Sequence, residues 1–107
     1  MKFGLPDSTV TNVKHTLSQF SEIDRAVIFG SRAKGNYKNG SDIDITLIGS
    51  NLSIELLTRI SSTLDDLSIP YTLDLSIFSM IENQDLIDHI NRVGKVLFEK
   101  APATVLI

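Results

Sequence analysis

Two aspartates one residue apart, Asp42 and Asp44, follow a Gly30-Ser31 pair at an interval of ten residues. On a strand, residues i and i+2 point to one face, with Cα atoms roughly 6–7 Å apart. Two carboxylates held that close repel each other, and one pKa rises unless a cation lies between them. Oxygen ligands of this kind suit Mg²⁺, which keeps several waters and shares the phosphates of a substrate. A third carboxylate, Asp74, stands between Leu73 and Leu75 in "YTLDLSIF". If its strand lies beside the D-x-D strand with the same face outward, three acids converge. Three such acids can hold two cations about 3.5–4 Å apart, the clamp used for in-line phosphoryl chemistry. Each part has an ordinary explanation too: the D-x-D as a solvated strand face, Asp74 as an edge residue in solvent. The three features together, in this order, are harder to reach by accident.

The Gly-Ser pair ends a short apolar run and leads into "SRAK". A glycine lets main chain approach an anion closely, and the start of a helical turn offers N–H groups that suit a phosphate. Arg32, Lys34 and Lys38 lie in the same stretch. Taken alone, the pair also fits a capping serine beside a solvated basic loop. Two familiar phosphate loops do not fit. Gly30 and Gly35 have the Walker A glycine spacing, but Asn36-Tyr37 stand where Lys-Ser/Thr belongs, and there is no G-x-G-x-x-G. Asn39-Gly40 could turn a hairpin, but the preceding "NYK" is short and polar, so a flexible loop is expected.

The elements that must carry these residues follow from periodicity. Val10, Val13, Leu17 and Phe20 mark one face of a helix over 8–20. "RAVIFG" (25–30) reads as a buried strand. Ile43, Ile45 and Leu47 alternate with Asp42, Asp44 and Thr46 across a strand over 42–49. Leu52, Leu56, Leu57, Ile60, Leu64 and Leu67 form a helical stripe, and 71–78 alternates as a strand again. Ser79 and Glu82 have capping-box spacing, with Asn83 as the other candidate cap. A helix bearing Leu86, Ile87, Ile90 and Val93 follows, with Gly94 at its end, and "KVLFEK" (95–100) reads as a last strand. Strands alternating with helices predict an α/β domain with a mixed sheet. His15 and His89 lie off or beside the apolar stripes, with no ligand partner at i+4, and read as surface residues. Tyr37 reads as an exposed loop residue that could stack on a base.

The chain of 107 residues suits one domain, 1–107, with its core at about 8–100 and a tail at 101–107 that could pair as an edge strand or dock on a partner. A second, acceptor-binding domain has no room in it. The net charge of −3 argues against a surface that tracks nucleic acid. With no cysteine, there is no disulfide, thiolate metal site or Cys nucleophile. "MKFGLPDSTV" is broken by Gly4, Pro6 and Asp7, so neither a signal peptide nor a membrane span is expected, and the cytoplasm is the expected compartment.

Gly30-Ser31, ten residues and Asp42-Ile43-Asp44, with a third acid on a later strand, resemble the signature of the DNA polymerase β-like nucleotidyltransferase superfamily. In size the chain resembles the minimal nucleotidyltransferases (MNT), which are commonly antitoxin partners of HEPN-domain toxins. The resemblance covers about residues 25–100 and implies the nucleotidyltransferase fold. It implies that Gly30 and Ser31 bind the β- and γ-phosphates of an NTP, with Arg32 neutralising phosphate charge. It implies that Asp42 and Asp44 bind two Mg²⁺ ions (Mn²⁺ substituting), and that Asp74 completes the catalytic metal site and helps deprotonate the acceptor hydroxyl. Many members carry Arg where this chain has Lys34, which lacks the bidentate fork.

The implied reaction is attack of a hydroxyl on the α-phosphorus of an NTP, ATP for choice, releasing pyrophosphate. The expected acceptor is a HEPN-type partner protein. Two other functions stay open: a non-catalytic antitoxin that covers its toxin, and a small-molecule transferase of the aminoglycoside-modifying kind, which usually needs a further helical domain. Acceptor, base preference and oligomeric state are left open by the sequence.

Overall fold

The computed structural model describes residues 1–101; residues 102–107, most of the expected tail, lie outside the described residues. The elements run α1 (Asp7–Ser18), β1 (Arg25–Phe29), α2 (Gly30–Lys34), β2 (Ile43–Ile48), α3 (Ile54–Asp65), β3 (Leu73–Ile77), a 3₁₀ turn (Phe78–Met80), α4 (Gln84–Val93) and β4 (Lys95–Glu99).

The helical stripes are the buried faces. Val10, Val13 and Leu17 of α1 and Leu56, Ile60 and Leu64 of α3 are buried, while Phe20 packs on the core from the turn after α1. Ser53 caps α3 by accepting a hydrogen bond from Leu56 N–H at 3.2 Å. Asn83, rather than the Ser79–Glu82 pair, caps α4, accepting from Leu86 N–H at 3.2 Å. Ser79 is taken up by the 3₁₀ turn. Gly94 closes α4 without a left-handed conformation, at φ −60°. A side chain there would run into Ile90 O and Val27, so close packing of helix on sheet explains the glycine.

The strands form one mixed sheet in the order β3-β2-β1-β4. β1 pairs antiparallel with β2 and β4; β2 pairs parallel with β3, which requires the crossover that α3 supplies. Period-2 alternation then divides the sheet. Ala26 and Ile28 of β1 share a face with their partners Leu47 and Ile45 of β2, and these residues belong to the core cluster with α1 and α3. Val27, Phe29, Asp44, Thr46, Asp74 and Ser76 fall on the opposite face, where α2 and α4 pack against β1. The chain is therefore apolar on one side of β2 and chemical on the other.

Candidate active site

The topology brings three chain segments to one sheet end. β1 arrives there and ends at Phe29, whose partner is Asp44. β2 and β3 both set out from it in the same direction, and their register places Asp44 opposite Asp74. Asp42 lies two residues before Asp44, just outside β2, on the same face by alternation and exposed, as is Asp74. Ile43 N–H donates to Thr72 O at 2.8 Å, tying the approaches to the two acid-bearing strands together.

Gly30 turns over the Asp44 carboxylate. Its φ is +72°, a left-handed conformation that glycine adopts freely, and a Cβ there would collide with Asp44 Oδ2. Ser31 is the second residue of the short helix α2, whose first N–H groups have no intrahelical acceptor by construction. Gly30 N–H itself donates to Nε2 of His89, at 3.2 Å. His89 is half-buried on α4 and meets Phe29 edge-to-face, with ring centroids 6.3 Å apart. Sequence reasoning read His89 as a surface residue. The one signal available was its place next to Ile90, the buried position of α4.

Electrostatics single out Asp44. Burial pushes its carboxyl above the usual 3.8, the charges of Asp74 and then Asp42 push it further, and His89 opposes them. Just beyond Asp44 and Asp74, on the same face and opposite each other, Thr46 Oγ1 and Ser76 Oγ are buried with no protein hydrogen-bond partner among the described residues. A half-buried carboxylate with two like charges and unpartnered hydroxyls beside it is a set of hard oxygen donors short of a cation, so the residues present fit Mg²⁺ or Mn²⁺. The fit is not a finished cage. Among the described residues, no three His, Cys, Asp or Glu side chains already form a metal-holding group.

Arg32 is turned into the protein rather than toward solvent. Its side chain is 3% exposed. Nε and Nη2 donate to Ser41 O at 3.1 and 2.8 Å, and Nη1 donates to Phe3 O at 2.9 Å. The rings of Tyr37 and Tyr71 lie 5.4 and 5.2 Å from the guanidinium carbon. With main-chain carbonyls on its edges and rings on it, the guanidinium is not offered to an anion. Tyr37 is exposed, as its loop position predicts, while its ring is stacked by Arg32 and lies close against Gly4. The Asn39-Gly40 stretch is a tight turn rather than a loose loop, closed by Ser41 N–H to Lys38 O at 3.0 Å and Lys38 N–H to Ser41 Oγ at 2.8 Å.

The family model described as "Polymerase beta, Nucleotidyltransferase" matches residues 11–103. The chain belongs to the polymerase β nucleotidyltransferase family. No curated protein matches it. Solved structures similar to this nucleotidyltransferase include a chain of a toxin–antitoxin complex with AMP-PNP. That match has a TM-score of 0.67 and 18% identity, covering 90% of this chain and 75% of the other. A chain of the MntA-HepT toxin–antitoxin is similar at a TM-score of 0.66 and 16% identity, with 89% and 74% covered. A third is a tri-AMPylated Shewanella oneidensis HEPN toxin in complex with MNT antitoxin, at a TM-score of 0.65, 17% identity, and 87% and 71% covered. At these identities the likeness is one of fold. Among the described residues, no helix is long and apolar enough to cross a membrane.

Proposed function

We propose that this nucleotidyltransferase is Mg²⁺-dependent, moves AMP from ATP to a hydroxyl of a partner protein, and thereby acts as the antitoxin of a HEPN-type toxin. The observation that carries the reading is the register of Asp44 opposite Asp74 beneath a left-handed Gly30. The similarity to an MNT antitoxin solved with an AMPylated HEPN toxin supports the choice of nucleotide and acceptor.

Asp42, Asp44 and Asp74 are the residues that would hold the cations. When bound, Mg²⁺ supplies charge neutralisation on the phosphates and polarises the acceptor hydroxyl. Gly30, with no Cβ, lets the β- and γ-phosphates approach the main chain closely, and the Ser31 hydroxyl adds a donor. Asp74, exposed on β3, would take the hydroxyl proton as the acceptor oxygen bonds to the α-phosphorus. The bond from that phosphorus to the bridging oxygen breaks, and pyrophosphate leaves with the electron pair. The residues contribute alignment and field rather than a covalent intermediate. Arg32, engaged with main-chain carbonyls, has no phosphate role in this scheme.

A second reading is neutralisation by binding alone, which the likeness to chains solved within toxin–antitoxin complexes also accommodates. The intact mass of the HEPN-type partner, after incubation with the protein, ATP and Mg²⁺, separates the two. A gain of one or more adenylyl groups, absent with Asp42→Ala or Asp44→Ala, supports transfer. A partner left unmodified yet inhibited equally by wild type and both variants supports binding alone.

A further inference from the structure

We propose that Arg32 is a positioning residue for the metal-binding face: it fixes the main chain on which Asp42 stands. The inference rests on the metal-dependent reading above. Asp42 lies outside β2, whose first residue is Ile43, so no strand ladder restrains it directly. It is held from its two sides instead. On one side Ile43 N–H bonds to Thr72 O. On the other, two nitrogens of Arg32 converge on the carbonyl of Ser41, the residue before Asp42, at 3.1 and 2.8 Å.

The same guanidinium reaches the second acid-bearing strand. Tyr71, whose ring lies 5.2 Å from it, directly precedes Thr72 and stands three residues before Asp74. The third anchor is Phe3 O at 2.9 Å, in an N-terminal turn where Phe3 and Gly4 have φ of +57° and +70°. One buried cation thus ties the approaches to β2 and β3 to each other and to a turn at the start of the chain. Among the described residues it has no carboxylate partner, and carbonyl dipoles and ring faces stand in for one. The task needs the planar fork. A lysine carries the same charge but cannot span Ser41 and Phe3 while stacking on the rings.

The test is Mn²⁺ binding without nucleotide, followed by the electron paramagnetic resonance of free Mn²⁺, in wild type, Arg32→Lys and Arg32→Met, with Asp42→Asn as control. Thermal unfolding of each variant sets the folded fraction. Partners that orient metal ligands are worth 10–100-fold in affinity, so Arg32→Lys is expected to raise the Mn²⁺ Kd by about tenfold. Arg32→Met sharpens the sign. Removing a nearby positive charge should by electrostatics alone tighten cation binding, whereas loss of positioning weakens it. A merely structural arginine would lower Tm and leave the Kd of the folded protein unchanged. Tyr71→Leu, which removes a ring face and no hydrogen-bond partner of Arg32, replaces the arginine variants where these do not fold, with a rise in Kd again expected. Unchanged or tighter Mn²⁺ binding in the folded variants overturns the proposal and leaves the metal-dependent reading standing. Wild type that does not bind Mn²⁺, or binding indifferent to Asp42→Asn, overturns that reading and this inference with it.

Discussion

Replacing Gly30 by alanine should damage the protein in a way that a second glycine can calibrate. Gly30 and Gly35 bracket α2 and share the left-handed conformation, with φ of +72° and +87°. A Cβ at Gly35 meets nothing within 4 Å, so Gly35→Ala reports backbone strain alone. That strain is about 1–2 kcal/mol, offset in part by the stiffer unfolded chain, for a net of about 1 kcal/mol. With unfolding entropy near 2.1 cal/mol/K per residue, 1 kcal/mol lowers the Tm of a domain this size by about 4–5 °C. Gly30→Ala adds a collision with the Asp44 carboxylate, an overpacking cost of about 1–3 kcal/mol.

The expected loss for Gly30→Ala is therefore about 2–4 kcal/mol, or about 9–18 °C. In an Asp44→Ala background the nearest remaining atom is Asp44 Cβ at 3.7 Å, an ordinary contact. There Gly30→Ala should cost no more than Gly35→Ala does in wild type. Differential scanning calorimetry of the four members of the cycle, plus Gly35→Ala, gives the numbers. Equal costs of Gly30→Ala in the two backgrounds would mean that the Asp44 carboxylate is not held under the Gly-Ser turn, and that the close contact does not fix the geometry of the site.

Two more outcomes follow from the same face. Because burial and the charges of Asp74 and Asp42 raise the folded pKa of Asp44, the native state binds that proton more tightly than the unfolded chain. Ionised Asp44 then destabilises the metal-free protein above its folded pKa, and the penalty vanishes below the ordinary value of 3.8. Asp44→Asn should raise Tm at about pH 8 and give a gain that shrinks as pH falls toward about 4; a gain independent of pH would contradict this. Thr46→Val removes a buried hydroxyl with no protein partner among the described residues, and should be neutral or stabilise by about 1 kcal/mol in denaturant titration. A loss of that size would show that the hydroxyl is hydrogen-bonded in solution.

What the sequence disclosed was local, and what it concealed was distant along the chain. The alternation of Ile43, Ile45 and Leu47 with Asp42, Asp44 and Thr46 shows which side of β2 is apolar, because period 2 is a property of the strand itself. That Asp74 stands level with Asp44 depends on the parallel register, which a crossover through α3 settles and no local pattern encodes. Arg32 shows the same limit. Beside Lys34 and Lys38 it looks like part of an anion-binding cluster, yet its partners are Phe3, Ser41 and Tyr71, brought in by tertiary structure. His89 is 59 residues from the glycine it accepts from, and its place beside buried Ile90 says nothing of that partner. The cap of α4 fell to Asn83 because a 3₁₀ turn consumed Ser79.

Metal-dependent nucleotide binding is the claim on which the rest of the account stands. Calorimetric titration of the protein with ATP, with Mg²⁺ present and with Mg²⁺ chelated, tests it most directly. Three carboxylates facing a triphosphate repel it unless cations lie between them. The account predicts binding with Mg²⁺, none detectable without it, and loss of the Mg²⁺-supported binding in Asp44→Asn although that variant remains folded. Equal affinity for ATP in the two conditions, or Asp44→Asn binding Mg²⁺ and ATP as wild type does, would contradict it.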